Sequence, residues 1–539
     1  MDERYIAAVD LGSSKIAVTV AKIDGKDTQI LYYRETPSLG VRDSAVLNPK
    51  MAGKELGKAI EQAESELKIK ILQVVVGLPR YCVTQQKASA KIVRTDPEAS
   101  ISEEEIEYLK SSAVDSYPID NPDKNVSFGV IAQSFSADDY INSIESDIVG
   151  MVSDTLEGKF KVFVGRQRDS RNIDKTLEEV GIVAAKKFFV PEITAKAVLN
   201  REEMDNGVAL MEIGGAASSV TIYKGGILRY YASIPFGGKT ITNDIKYECS
   251  CSEKLAENLK LAYGVCMPEK LQSLRDKIIQ IHDKETGLTK QISVAYLSEI
   301  ITRRLEEIID ALLWYVQESG LADKLAAGIV VTGGAAAMPN ISSLIGEMSG
   351  YTVRIGYPRR KYSAVGCPGV DETSAATSIG MILAGKELEF LNCLDEAPKD
   401  EEEEVIPEEE IADEYTEEPE EIENIDEIEE PVDTDPEESE EAAEPEEEGG
   451  ERDGLFWRKD IEASKEEKER IKAEKAAQKA AKKAREAEER AERRRQKIEE
   501  AKQKEEDRKK KQEDMVNKFG IIRWFQEKID NLYDETSDF

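Results

Sequence analysis

The sequence has 539 residues and a formal net charge of -36 at neutral pH. The charge is uneven: residues 395–451 carry 32 Asp and Glu against one Lys, and residues 452–514 carry 23 Lys and Arg against 18 acids, so residues 1–394 are ordinary in charge and long enough for two cores. Six scattered cysteines with no framework spacing and one histidine, His282, exclude a disulfide scaffold and any site built on two histidines.

Cys249 and Cys251 form a C-x-C with no partner pair for a metal, and read as reduced thiols. No leader pattern opens the sequence, and no apolar run reaches the roughly 18 residues of a membrane span. The expectation is a protein made in the cytosol that does not cross a membrane.

The first informative stretch is residues 5–20. An apolar run ends at Asp10, a Gly12-Ser13-Ser14-Lys15 turn follows, and a second apolar run begins. This predicts a buried β-hairpin. Backbone N–H groups at Gly12 and Ser13 can converge on a phosphate, with hydroxyl donors from Ser13 and Ser14. Asp10, at the junction of strand and turn, is placed to hold a Mg²⁺ through water. An ordinary hairpin explains the same pattern, so the rest of the chain has to supply a second half of the site.

Residues 29–34 predict another strand, residues 52–67 a helix and residues 69–77 a largely buried strand, which together make an α/β layer. Residues 84–167 read as an inserted α+β subdomain, with a capping box from Ser102 to Glu105 and strands at 128–136 and 159–164. A helix over 172–180, a strand ending near Val190 and a short helix over 193–199 come next. The opening pattern then returns over residues 207–222: strand, Glu212, a Gly214-Gly215-Ala216 turn, strand. A duplicated α/β domain with a cleft between its halves is the expectation. Helices follow at 254–263 and 293–318, the second with a core-facing stripe through Leu297, Ile301, Leu305 and Ile308. A third glycine turn, Thr332-Gly333-Gly334-Ala335, follows a buried strand and precedes a helix near Pro339. Its glycines allow close approach to a flat ligand.

Three such turns in this order resemble the actin-like ATPases. Finer signals resemble the FtsA family of bacterial cell-division proteins: Pro235 to Ile245 is similar to its G-x-x-x-T-x-D-I segment, Ala256 to Lys260 to its ribose-contacting helix, Val330 to Ala336 to its adenosine turn, and Val130 to Phe135 with Val149-Gly150-Met151 to its own subdomain. The resemblance implies an actin-like fold of two duplicated α/β domains, with bounds 1–83, 84–167 (the insert) and 168–394. It implies ATP and Mg²⁺ as cofactors. It assigns Gly12, Ser13, Ser14, Lys15, Gly214, Gly215, Ala216, Glu257, Lys260, Gly333, Gly334, Ala335 and Met338 to the nucleotide, and Asp10 and Glu212 to the metal. The FtsZ C-terminal tail is the implied partner, bound in a helical subdomain at about 235–290.

The family's second phosphate loop reads D-I-G-G-G-T, where this chain has Glu212-Ile213-Gly214-Gly215-Ala216-Ala217. A threonine hydroxyl is missing, which weakens binding by about 1 kcal/mol. The family's glutamate before Pro191 is Val190 here, and the nearest acid is Glu192. ATP binding with slow or absent turnover is expected, against a purely structural cleft or an actin-fold small-molecule kinase.

Residues 395–459 read as an acidic disordered linker. Residues 460–514 alternate Glu, Lys, Arg and Ala without a heptad seam, which fits either a single solvated helix about 80 Å long or a charged linker. Acids nearly balance bases there, so nucleic acid is not an expected partner. Residues 515–539 predict an amphipathic helix carrying Phe519, Ile522, Phe525, Ile529 and Leu532 on one face and Trp524 outside it. Membrane lipid and a groove on a partner both fit such a face. The resemblance favours the membrane, as does the preceding basic run 508–511. It also implies self-assembly, other divisome partners, and a location on the cytoplasmic face of the membrane at the septum.

Overall fold

A computed structural model describes residues 3–116, 123–270, 276–282, 289–359 and 361–394. The expectations for the acidic linker, the charged helix and the terminal helix lie outside these residues.

The chain opens with strands β1 (Arg4–Leu11), β2 (Lys15–Asp24) and β3 (Asp27–Pro37), then helix α1 (Pro49–Leu67) and strand β4 (Gln73–Gly77). Helix α1 starts three residues before the sequence expectation. Pro49 sits at its first turn, where no N–H is needed, and the Asn48 side chain caps it by accepting from Met51 N at 3.1 Å. Strand β4 is shorter than expected. Lys68 ends α1 in the left-handed region, and the chain then has to turn: Leu72 is exposed and Ile71 only bridges to Leu394.

The insert contains β5 (Thr84–Val93), α2 (Glu103–Ser116), β6 (Asn125–Ala137), β7 (Tyr140–Ser143) and β8 (Thr155–Arg166). Its four strands form a separate antiparallel sheet in the order β5-β8-β6-β7. It has its own core of Ile106, Leu109, Phe135, Leu156 and Phe160, with the two phenylalanine rings edge to face at 5.9 Å. The capping box is present: Ser102 N donates to Glu105 Oε2 at 3.0 Å, and Glu105 N to Ser102 Oγ at 3.2 Å.

Next come α3 (Gln167–Glu178), β9 (Val183–Phe188) and α4 (Val190–Val198). The later half holds β10 (Val208–Ile213), β11 (Ser218–Lys224), β12 (Ile227–Ile234), α5 (Gly238–Cys249), α6 (Glu253–Tyr263), β13 (Ile278–His282), β14 (Thr289–Ser293) and α7 (Val294–Glu318). It closes with β15 (Ile329–Thr332), α8 (Ile341–Ser349), β16 (Val353–Ile355), the short strand β17 (Ser363–Ala364) and α9 (Ala376–Lys386).

The two large sheets repeat one topology. The first runs β9-β4-β1-β2-β3-β17, and the second runs β16-β15-β10-β11-β12. In each, a hairpin (β1–β2, β10–β11) is flanked by a parallel strand reached through a crossover. Strand β9 pairs with β4, so the chain after residue 168 first completes the first domain, and the second sheet begins only at Val208. The expected boundary at 168 falls inside a crossover from β4 to a parallel partner, a connection that has no compositional mark.

Strand β10 serves two cores by simple alternation. Val208 and Leu210 pack into the first core, while Ala209, Met211 and Ile213 pack into the second. Glu212 shares the parity of Val208 and Leu210 and therefore points at the first domain. Helices α4 and α9 meet closely, since a β-carbon on Gly380 would lie 2.3 Å from the Ile193 carbonyl oxygen.

Candidate functional site

The two hairpin turns are built alike. A β-carbon on Gly12 would lie 2.8 Å from the Lys15 carbonyl oxygen, and one on Gly214 would lie 2.7 Å from that of Ala217. Both turns need glycine for the same steric reason. Ser13 is buried, and its Oγ accepts from Ser44 N at 2.9 Å, which leaves its own hydrogen to donate. Ser14 is exposed toward the opening. Lys239 Nζ reaches across from α5 to donate to the Ser13 carbonyl at 2.8 Å. The second turn also holds the start of α5: Gly238 N and Lys239 N donate to the carbonyls of Gly214 and Gly215 at 2.9 and 2.7 Å.

Glu257 and Lys260 lie one turn apart on α6. Lys260 Nζ donates to Glu257 Oε2 at 2.7 Å, to Thr242 Oγ1 at 2.8 Å and to the Gly238 carbonyl at 3.0 Å. Gly333 has a φ of 93°, and a β-carbon there would fall 2.6 Å from the Ile213 carbonyl oxygen. Gly334 faces open space.

The assigned residues of these elements line one cavity of about 540 Å³. It gathers Asp10, Gly12, Ser13, Ser14 and Lys15 from the first hairpin and Glu212, Gly214, Gly215 and Ala216 from the second, with Glu257 and Lys260 from α6 and Gly333, Gly334, Ala335 and Met338 from the third turn. A larger cavity, about 880 Å³, opens beside the insert and holds none of them.

Three members of the site were not assigned from the sequence. Arg80, just beyond β4, donates through Nη1 to Glu212 Oε1 and through Nη2 to Thr377 Oγ1 at 3.4 Å. Thr377, at the start of α9, donates to Glu212 Oε1 at 3.2 Å and faces Thr194 Oγ1 at 3.3 Å. Val190 lines the cavity against Gly77, whose β-carbon would stand 2.6 Å from Val190 Cγ2. No motif marks Arg80, because its partner is 132 residues away.

Burial pushes the Asp10 carboxyl above its ordinary range, and the nearby Arg80 and Lys15 charges oppose that rise. Burial opposes ionisation of Glu35 too, but Lys15, Tyr33 and Ser374 outweigh it and hold the carboxyl below its usual range. Lys15 is thus engaged by Glu35. Glu192 points elsewhere: its carboxyl is pushed up by burial, its charged neighbours are Lys196, Glu387 and Lys110, and it does not line the cleft.

The sequence assigned Asp10 and Glu212 to a metal. The donor set does not fit a site between them, because Glu212 Oε1 already accepts from a guanidinium and a threonine hydroxyl. Among the described residues no group of three or more His, Cys, Asp or Glu is placed to hold a metal ion.

The model of the family described as cell division protein FtsA matches residues 209–380. The cell division protein FtsA of Borreliella burgdorferi is 28% identical over 395 residues, covering 73% of this chain and 94% of the relative. Those of Neisseria meningitidis and Escherichia coli are 26% and 25% identical, each over 72% of this chain and 91% of the relative. The chain is thus similar to the FtsA proteins over most of residues 1–394. A chain of the PilM-PilN type IV pilus biogenesis complex has the same fold, with a TM-score of 0.50 at 15% identity over 70% of this chain and 98% of the other. The FtsA match spans the second hairpin, the third turn and α9's first residues, so Glu212, Gly333 and Thr377 lie within it and Asp10 and Arg80 outside. Among the described residues no helix is long and apolar enough to cross a membrane.

Proposed function

We propose that this chain is an FtsA-type protein that binds ATP in the cleft between its two duplicated domains, assembles with further copies on the inner face of the bacterial membrane, and tethers FtsZ there to form the division ring. One observation supports the nucleotide above all. Fifteen residues assigned from four separate segments of sequence line a single cavity walled by two equivalent glycine turns. Backbone N–H groups and hydroxyls at those turns suit phosphate oxygens. The α6 pair and the Gly333–Met338 turn suit the sugar and base.

The reading keeps the nucleotide and gives up the Asp10–Glu212 pair as its metal site. Turnover is slow or absent. The wall opposite the first turn presents Val190, an apolar group where a water-positioning polar group is needed. The same feature disfavours a small-molecule kinase, which needs a carboxylate base at the reacting phosphate.

The FtsZ tail is taken by the helical part of the second domain, around α5, α6 and the β13–β14 hairpin. Residues 395–514 act as a tether whose length sets the distance between ring and bilayer, and Phe519, Ile522, Trp524, Phe525, Ile529 and Leu532 enter the lipid interface. Flotation with vesicles containing anionic lipid tests this. Full-length protein carries FtsZ up with the vesicles, and protein ending at Asp514 does not. Equal flotation of both would remove the membrane role of the last segment.

A further inference from the structure

We infer that Arg80 takes the place of a bound metal ion in neutralising the nucleotide phosphates, so that ATP enters this cleft without Mg²⁺. The inference rests on the reading that the cleft binds ATP.

Arg80 stands against the second turn, in the cavity that the first turn also lines. It comes from the first domain, one turn beyond β4, and its side chain is only 13% exposed. Its Nη1 lies 3.4 Å from where a β-carbon of Gly214 would stand, so the guanidinium rests against the second turn. The charge of Asp10 also acts on the guanidinium, along with that of Glu212, and Asp10 lines the same cavity. The backbone holds it in place too: Tyr231 OH donates to the Arg80 carbonyl.

A metal ion held by Glu212 would need this position. Glu212 is 7% exposed in its side chain, and a carboxylate so buried requires a cationic partner. Arg80 is that partner within the chain itself. A dication at Glu212 would meet the guanidinium at close range, where like charges repel strongly in a buried setting. It would also have to find several oxygen ligands around it, whereas the residues here supply a guanidinium, a threonine hydroxyl and glycine backbone.

Arg80 is also equipped to bind phosphate. A guanidinium carries five N–H donors in a plane, and its contacts to Glu212 and Thr377 use two. The others are free to meet phosphate oxygens in the paired geometry that arginine favours. Lys239, held at the Ser13 carbonyl, adds a second positive charge at the first turn.

The test is calorimetric titration of ATP into full-length protein with excess Mg²⁺ and, separately, with EDTA. The inference predicts dissociation constants within about threefold of each other. Arg80→Met should weaken binding in EDTA by about tenfold or more, and the loss should be smaller with Mg²⁺. Arg80→Met leaves Glu212 unpaired, so Arg80→Met with Glu212→Gln is titrated beside it, and the same loss in EDTA is expected. Binding of ATP only with Mg²⁺ would overturn the inference and leave the nucleotide reading standing. So would a double variant that binds in EDTA as the natural protein does. No binding by the natural protein in either condition would overturn the nucleotide reading, and this inference with it.

Discussion

Gly215 closes directly onto Ser14: a β-carbon on Gly215 would stand 2.1 Å from Ser14 Oγ and 3.0 Å from Ser14 Cβ. The two phosphate turns, one from each domain, are therefore in contact across the cleft. The serine hydroxyl can rotate away, but its Cβ cannot, so an added methyl has to part the turns. Gly215→Ala is expected to weaken ATP binding by about tenfold and to lower unfolding stability by about 1–2 kcal/mol. Calorimetry and urea unfolding of the variant check both parts.

The insert is held by one buried arginine. Arg94, 6% exposed, forms a paired contact with Glu105 (Nε–Oε1 2.8 Å, Nη2–Oε2 3.0 Å) and donates to the carbonyls of Ala99 and Ser153. Glu105 also closes the capping box of α2. Glu105→Ala removes both roles and should destabilise the insert by about 3 kcal/mol. Glu105→Gln keeps an acceptor for the cap and should cost less. Hydrogen exchange should show faster exchange within β5 to β8 and little change at β10 or β15.

Lys161 carries a readable pH dependence. Burial, with Lys87 and Arg229 nearby, lowers its pKa to about 8. An unfolded lysine titrates near 10.4. Between these values the unfolded chain holds a proton that the folded chain has lost, so this residue makes stability rise with pH across that window. Lys161→Met should lack that rise. Urea midpoints of both proteins from pH 7 to pH 10 check this: the natural protein should gain on the variant as pH rises, and a natural protein that loses ground would contradict the sign.

The proposed slow turnover is traced to Val190. If a polar group is missing there, Val190→Gln should raise single-turnover hydrolysis of bound ATP by about tenfold or more, with little change in affinity. Unchanged rates in rapid-quench measurements would place the defect elsewhere, with Ala216 and Ala217 the next residues to change.

The parts of the site that lie in one short stretch were legible in the sequence. Asp10 to Lys15 and Glu212 to Ala216 each join an apolar strand to a glycine turn, and alternation alone sets which way Glu212 faces. Arg80 was not legible. Its segment, Gly77-Leu78-Pro79-Arg80, has no pattern, and its role exists only because two sheets bring residues 80, 212 and 377 together. The reach of the first domain beyond residue 168 was not legible for a related reason. Strand β9 returns to the first sheet by pairing with β4, and pairing over that distance leaves no local trace. The guanidinium that Glu212 meets was not legible either, because an acid in the expected place says nothing of which cation it meets.

The central claim is that the cleft holds ATP. Equilibrium binding of a fluorescent ATP analogue to full-length protein, with unlabelled ATP and ADP as competitors, tests it most directly. Saturable binding displaced by both nucleotides, and weakened by Gly215→Ala, is the expected result. No saturable binding, or binding that neither competitor displaces, would contradict the account and leave the cleft a structural seam between two copies of one domain.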